Sequence, residues 1–232
     1  MLPEAQVVEA SSQAYVAQMN DYKKKGELTA DPNTIARVKQ ITNRLIAKAT
    51  TIHPESKNWK WEVNVVNEPQ VNAFAMAGGK IAVYTGLIEK INPTDDELAE
   101  VLAHEIGHAL AGHTREKMSV SMGTELALAA YSTKAALDEK TQQALAAGAL
   151  VAIQLPNSRH MESEADRLGI ELAARAGYNP DAALSLWQKM GKLQSGSSPP
   201  EFLSTHPSDE TRLHALSELV PQMKPIYLAA KQ

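Results

Sequence analysis

Residues 94–117 read TDDELAEVLAHEIGHALAGHTREK, and the spacing within them decides what the rest of the chain must build. Thr94 followed three residues later by Glu97 is a capping-box pattern, and Asp95 and Asp96 suit a helix N-terminus, where unpaired backbone N–H groups carry partial positive charge. The run LAEVLAHEIGHAL contains no breaker except Gly107, so the pattern predicts a helix with His104 and His108 one turn apart. At positions i and i+4 two imidazoles project from one face and can share a zinc ion at about 2.0–2.1 Å per nitrogen. Glu105 points about 100° round the helix from His104, where it meets a water on the metal rather than the metal itself, the place of a general base. Leu98, Val101, Leu102, Ile106, Ala109 and Leu110 make this helix apolar nearly all round, so the three polar side chains would pay a desolvation penalty without a partner. A metal ion is the partner that fits.

Two histidines do not complete a zinc site. His113 fails as the third ligand, because on a continuous helix it lies about 180° from His104; it reads as a residue behind the ligands or facing solvent. Residues 159–166, RHMESEAD, offer a better candidate. On a helical wheel Met161, Ala165, Leu168, Leu172 and Ala176 form the core stripe, and Glu164, Arg167, Glu171 and Arg175 form the solvent side. Glu162 and Asp166 fall on the edge between, beside Gly169 and Ala173, small residues that permit close approach of another helix. Two carboxylates there need a positive group facing them. Glu162 is the expected third ligand and Asp166 the acceptor that orients a ligand histidine through its other ring nitrogen. Glu164 reads as a solvated charge.

Outward from these helices, the first fifty residues predict two more. Asp31 and Pro32 mark the start of the second, and Ile35, Val38, Ile41, Leu45, Ile46, Ala49 and Ile52 recur at helical spacing. From Trp59 to Val65 the period changes to two, which predicts a strand buried on one side. Further strands are expected around Val71–Ala77 and Lys80–Thr85, joined by a hairpin turn at Gly78-Gly79. After Gly86 the chain reads as helical, with breaks at Asn92-Pro93, Pro156-Asn157, Gly177 to Pro180 and 195–200. The fold class expected is therefore α+β and mainly α-helical, with a small antiparallel sheet. A single domain is expected over 1–232: N-terminal helices in 1–55, the sheet and active-site helix in 56–117, and a helical remainder in 118–232.

Composition narrows the partners. The chain has 23 Lys and Arg against 27 Asp and Glu, a formal charge of −4, and no basic block longer than Lys23–Lys25, so a nucleic-acid footprint is absent. There is no Cys, which excludes thiolate metal sites and leaves any metal to His and carboxylate. No stretch of about 18 apolar residues reads as a transmembrane segment, and residues 123–155 read as a buried helical hairpin.

Near the C-terminus, THPSDETR places His206 before Pro207, at a loop-to-helix junction where its ring can swing. Ser208 is expected to cap the following helix. His206 is a candidate donor to the oxyanion that develops on a scissile carbonyl, with Arg212 one turn on as a fixed positive charge. Equally, His206 could occupy the open zinc position in a resting state. His53, His160 and His214 read as surface or packing residues.

HEIGH, ESEAD on a later helix and THPSDETR, preceded by VNAFAMAGGKIAVYTGL, together resemble the gluzincin zinc metallopeptidases of the HtpX-like and CAAX-prenyl-protease-like family, in particular a small soluble bacterial branch. The resemblance spans most of residues 60–215. It implies a zincin-like fold, one zinc per chain held by His104, His108 and Glu162, and Glu105 as the catalytic base. It implies a supporting role for Asp166, and an edge strand at Asn72, Ala73, Phe74 and Ala75 that binds extended substrate, although Phe74 and Met76 also read as core. The activity implied is endopeptidase hydrolysis by a metal-activated water, acting on peptides or unfolded proteins in quality control. The implied location is periplasmic or envelope-associated, with a possible lipid anchor in a precursor. The competing expectation is a holdase or assembly factor with a latent zinc site, using an Ala- and Met-rich apolar surface between Met118 and Leu155.

Overall fold

The computed structural model describes residues 1–28, 30–121, 139–194, 201–207 and 210–232. Ten helices and three strands are formed among these residues. Helices α1 (Glu4–Lys24) and α2 (Pro32–Ile52) come first, followed by a 3-10 turn at Pro54–Asn58. Strands β1 (Glu62–Val66), β2 (Ala73–Met76) and β3 (Lys80–Tyr84) follow, then α3 (Thr85–Ile91), α4 (Asp95–Leu110) and α5 (His113–Ser121). The remaining helices are α6 (Glu139–Gln154), α7 (Arg159–Arg175), α8 (Asp181–Gln194), α9 (Glu201–Thr205) and α10 (Glu210–Ala230). No helix among the described residues is long and apolar enough to cross a membrane.

The sheet has the order β1-β3-β2 and is mixed. β2 and β3 form the expected antiparallel hairpin, with Gly78 and Gly79 at φ of 79° and 78° in the left-handed region that side chains other than glycine rarely adopt. β1, however, runs parallel to β3, pairing Glu62 with Lys80 through Val66 with Tyr84. The antiparallel expectation thus held for one pair of strands only. Period-two patterning reports which residues share a face but not strand direction. β1 is also shorter than expected: the Trp61 indole N–H donates to the Ser56 carbonyl at 2.9 Å and its ring packs on Trp59, which ties this stretch to the 3-10 turn.

The sheet is buried on both faces, not one. Val65, Ala73, Ala75, Ile81 and Val83 join the apolar cluster built with α2, α4, α7, α8 and α10. Val66, Phe74, Met76, Ala82 and Tyr84 join a second cluster with α1 and α6. Alternate residues go to opposite sides, as the pleat demands. Tyr15 fastens α1 across the second face by donating its hydroxyl to the Ile81 carbonyl at 2.5 Å. Met118, Leu145, Ala149 and Ala152 are buried in that cluster, so these residues face inward rather than forming the open apolar surface expected of 118–155. The parts of that segment at 122–138, the loop at 195–200 and the Ser208 cap lie outside the described residues.

The first cluster brings α4 against α7, and two glycines set their separation. A Cβ on Gly107 would lie 2.9 Å from the Ala165 carbonyl oxygen, and one on Gly169 would lie 2.9 Å from the backbone N and Cα of His104. Backbone meets backbone here, which brings Glu162 and Asp166 to the histidine face. Alanine in place of an unconstrained helical glycine stabilises by up to about 1 kcal/mol; Gly169→Ala is expected to do the reverse. Overpacking should cost about 1–3 kcal/mol, lowering the thermal midpoint by about 2–4 °C for each kcal/mol lost, read by calorimetry against wild type.

Candidate metal centre

The geometry starts at the cap of α4. Thr94 accepts from the Glu97 backbone N–H at 3.2 Å and Glu97 accepts from the Thr94 N–H at 2.8 Å. The Glu97 carboxylate also holds Lys189 at 2.6 Å and Ser185 at 2.7 Å, anchoring α4 to α8. Two to three turns on, His104, Glu105 and His108 are all buried, as are Glu162 on α7 and His206 at the end of α9. One donor atom from each of His104, His108, Glu162 and His206 lies within 4.8 Å of every other. α9 is set by main-chain bonds that a sequence pattern does not announce: the Phe202 N–H donates to the Val71 carbonyl at 3.0 Å, and the Asn157 N–H to the Thr205 carbonyl at 2.9 Å.

Assigning the protons shows what the cluster is built to hold. His104 Nδ1 lies 3.0 Å from Asp166 Oδ1, close though bent from the ideal hydrogen-bond line. A lone pair facing a carboxylate would be repelled, so Nδ1 carries a proton, and Nε2 is the nitrogen left to bind a metal once His104 gives up its second proton. His113 Nε2 lies 3.3 Å from Glu164 Oε2, so it donates there and its Nδ1 accepts. His108 Nδ1, 2.7 Å from His113 Nδ1, is then the donor, and His108 Nε2 also presents a lone pair. These two Nε2 atoms are 3.0 Å apart, with Glu162 oxygens at 3.4 Å from His104 and 3.3 Å from His108. His206 completes the set: its Nε2 lies 3.2 Å from Glu105 Oε1, and its Nδ1 lies 3.3 Å from His104 Nε2 and 2.9 Å from Glu162 Oε1. Three imidazole nitrogens and a carboxylate converge there. That donor set fits a zinc ion, and it is nitrogen and oxygen only, as a chain without Cys requires.

The titration behaviour follows. Burial alone would lower His104, but Asp166 and Glu162 outweigh it and raise its pKa to about 9. Burial holds His108 well below the ordinary histidine value against the pull of Glu162, with the positive charge of His104 acting in the same direction as burial. Burial would raise Glu162, and the surrounding histidines overcome it to hold this carboxylate far below its usual range. Glu105 is the exception. Burial raises its pKa, which makes it a better proton acceptor than an exposed glutamate.

Behind the ligand set, Arg212 binds both oxygens of Asp166, at 2.6 and 2.8 Å, and reaches Glu162 Oε2 at 2.5 Å. Its guanidinium stacks 4.0 Å from the Trp187 ring centre. Arg212 therefore braces the two carboxylates from behind, as a fixed positive charge in support of the centre. Asn72, Ala73, Phe74 and Ala75 line a cleft of about 510 Å³ together with Glu105, His108 and His206. β2 is an edge strand of the sheet, the one that borders the cleft. Because the Tyr84 N–H donates to the Asn72 carbonyl, alternation turns the main chain of Ala73 and Ala75 away from β3. The Ala73 N–H is already taken by Asn72 Oδ1 at 2.9 Å, and the Phe74 ring packs edge-on against Tyr84 in the core.

Three residues were missed or misplaced by sequence reasoning. α4 ends at Leu110 and Gly112 has φ 74°, so α5 starts in a new direction and swings His113 back onto His108. His113 does lie behind the histidine pair, one of the two places expected for it, but not on a continuous helix, and Gly112 was the available signal. Glu164 is not a plain solvated charge, since it accepts from His113. Asn157 read only as a helix break. It is buried and donates through Nδ2 to Glu162 Oε1 at 2.7 Å. No local pattern marks that role.

An HExxH helix, a carboxylate brought beside its histidines by a second helix and a mixed sheet with an edge strand along the cleft define a zincin-type metal centre. The chain belongs to peptidase family M48, whose profile matches residues 32–220. It is similar to the mitochondrial metalloendopeptidase OMA1 of Arabidopsis thaliana, 42% identical over 173 residues that cover 74% of this chain and 34% of that protein. It is also similar to the metalloprotease LoiP of Escherichia coli, 32% identical over 91% of this chain and 79% of that one. The beta-barrel assembly-enhancing protease of Yersinia pestis is 30% identical over 94% of this chain and 45% of its own. The chain thus spans well under two thirds of the length of the OMA1 relative.

Zinc binding should be visible in stability. The purified chain is expected to carry one zinc, chelation to lower its thermal midpoint, and zinc at about 100 times its Kd to restore about 2.7 kcal/mol. In Glu162→Gln the add-back should produce no shift by scanning fluorimetry.

Proposed function

We propose that this chain is a zinc-dependent endopeptidase with His104, His108 and Glu162 as metal ligands and Glu105 as general base. The observation that carries the reading is the convergence of three imidazole nitrogens and a carboxylate beside the buried Glu105, whose pKa burial raises, in a cleft bordered by an edge strand. When bound, zinc supplies Lewis acidity: it lowers the pKa of water and polarises a carbonyl. Glu105 accepts the water proton and delivers it to the leaving amine. Asp166 holds the His104 proton on Nδ1, and Arg212 keeps Asp166 and Glu162 ionised and in place. Extended substrate lies along β2, taking main-chain hydrogen bonds at Ala75. Glu105→Gln should retain zinc and lose about 10²–10⁴-fold in hydrolysis of an unfolded protein such as casein. Unchanged hydrolysis would remove Glu105 from the mechanism.

His206 sits within reach of the ligand set and of Glu105, which favours the resting-state role over the oxyanion donor in this conformation. Its ring is stacked on Phe202 at 4.3 Å between centroids, and withdrawal of that pair would open the fourth position. On this reading His206→Ala raises peptidase activity at saturating zinc while weakening zinc retention; a large fall in activity with zinc retained would assign the donor role instead.

The biological setting we propose is quality control of misfolded or envelope proteins, in a periplasmic or envelope-associated location. Similarity to a beta-barrel assembly-enhancing protease supports it. All of residues 1–232 would serve as one such metallopeptidase domain, with peptides or unfolded protein as substrate.

A further inference from the structure

The cleft that holds Glu105 and His206 has one positively charged lysine or arginine among its described lining residues, Lys117 on α5. Its environment is unusual for an ammonium group. Lys117 is half-buried, and its Nζ donates to the Leu155 carbonyl at 3.1 Å and to Asn157 Oδ1 at 2.7 Å. Both acceptors are neutral oxygens. An ammonium has three N–H donors, so one remains after these two. No carboxylate among the described residues lies within ion-pair distance of it, and the two that act on it from further off, Glu105 and Glu162, belong to the metal centre. Burial lowers its pKa to about 8, offset in part by those two carboxylates.

Removing a cation from water without a full counter-charge is unfavourable, and an incoming anion relieves it. A purely structural tie between α5 and the start of α7 would need only a neutral donor. The same wall of the cleft presents Thr114 and the exposed Gln154, polar groups able to complete a bond set around an anion. We propose that Lys117, with these neighbours, forms a subsite for a carboxylate of the bound polypeptide: an Asp or Glu side chain near the scissile bond, or a free C-terminus. Asn157 links this subsite to the metal centre, because its Oδ1 holds Lys117 while its Nδ2 holds Glu162 Oε1.

The inference rests on the peptidase reading for its meaning in catalysis, but a binding measurement tests it separately. Zinc-loaded Glu105→Gln protein, which holds peptides without turning them over, is equilibrated with random decapeptide libraries that differ in one respect each. One pair carries a fixed Glu or a fixed Gln; the other carries a free or an amidated C-terminus. Retained peptides are quantified by mass spectrometry. A charge-assisted contact predicts about tenfold enrichment of the carboxylate member of one pair, and which pair responds identifies the source. Adding Lys117→Met should bring the ratio to near one, whereas Lys117→Arg should keep it, with circular dichroism confirming that both fold. A structural lysine would move both members of a pair equally. Equal retention of both members by the Lys117-containing protein, or enrichment that survives Lys117→Met, overturns the proposal. Enrichment without casein hydrolysis by wild type would leave the subsite standing and remove the peptidase reading; hydrolysis without enrichment would do the opposite.

Discussion

Two imidazole Nε2 atoms that face each other across 3.0 Å need a cation between them, a proton or a metal ion, and much of this structure serves to keep them so aimed. Each ring is held by its far nitrogen, His104 through Asp166 and His108 through His113 and Glu164. The two supports differ. One ends on a buried carboxylate clamped by Arg212, the other on a partly exposed glutamate reached through a second imidazole. A ligand whose proton is fixed on the outer nitrogen pays no tautomer penalty on binding metal, which is why residues outside the ligand set matter to it.

The same requirement explains the packing. Carboxylates on α7 can reach histidines on α4 only if the two backbones nearly touch, and Gly107 and Gly169 are where they do. Arg212 then prevents Glu162 and Asp166 from repelling each other in a dry interior. The sheet supplies the remaining wall. Its two faces are consumed by core, so an extended ligand can join it only at an edge, and the edge of β2 is the one that borders the cleft. His206 and Asn157 arrive from the chain on either side of α7 and α9, and both touch Glu162, which places this glutamate at the junction of every element of the centre.

HExxH spacing, the capping box ahead of it and the edge position of Glu162 and Asp166 on their helix are local facts, and a helical wheel suffices to read them. The amphipathic period of α2 and the Gly78-Gly79 hairpin were legible for the same reason. Strand direction was not, because β1 and β3 are parallel neighbours separated by β2 in the chain, and alternation looks the same either way. The place of His113 behind the ligands was among the expectations, but the path to it was not, because one glycine, Gly112, redirects the chain within a turn.

What the sequence determined alone is therefore whatever depends on the spacing of residues along one helix or hairpin: the pair of histidines, the glutamate beside them, the second carboxylate-bearing helix and the mainly helical α+β class. What only the tertiary structure decided is whatever depends on separate segments meeting. The proton on His104, the bracing of Asp166 by Arg212, the tie from Lys117 to Asn157 and the seat of His206 against Glu105 join residues 40 to more than 100 positions apart. No periodicity in a chain records a contact between distant segments, because such contacts are set by how close two backbones can come.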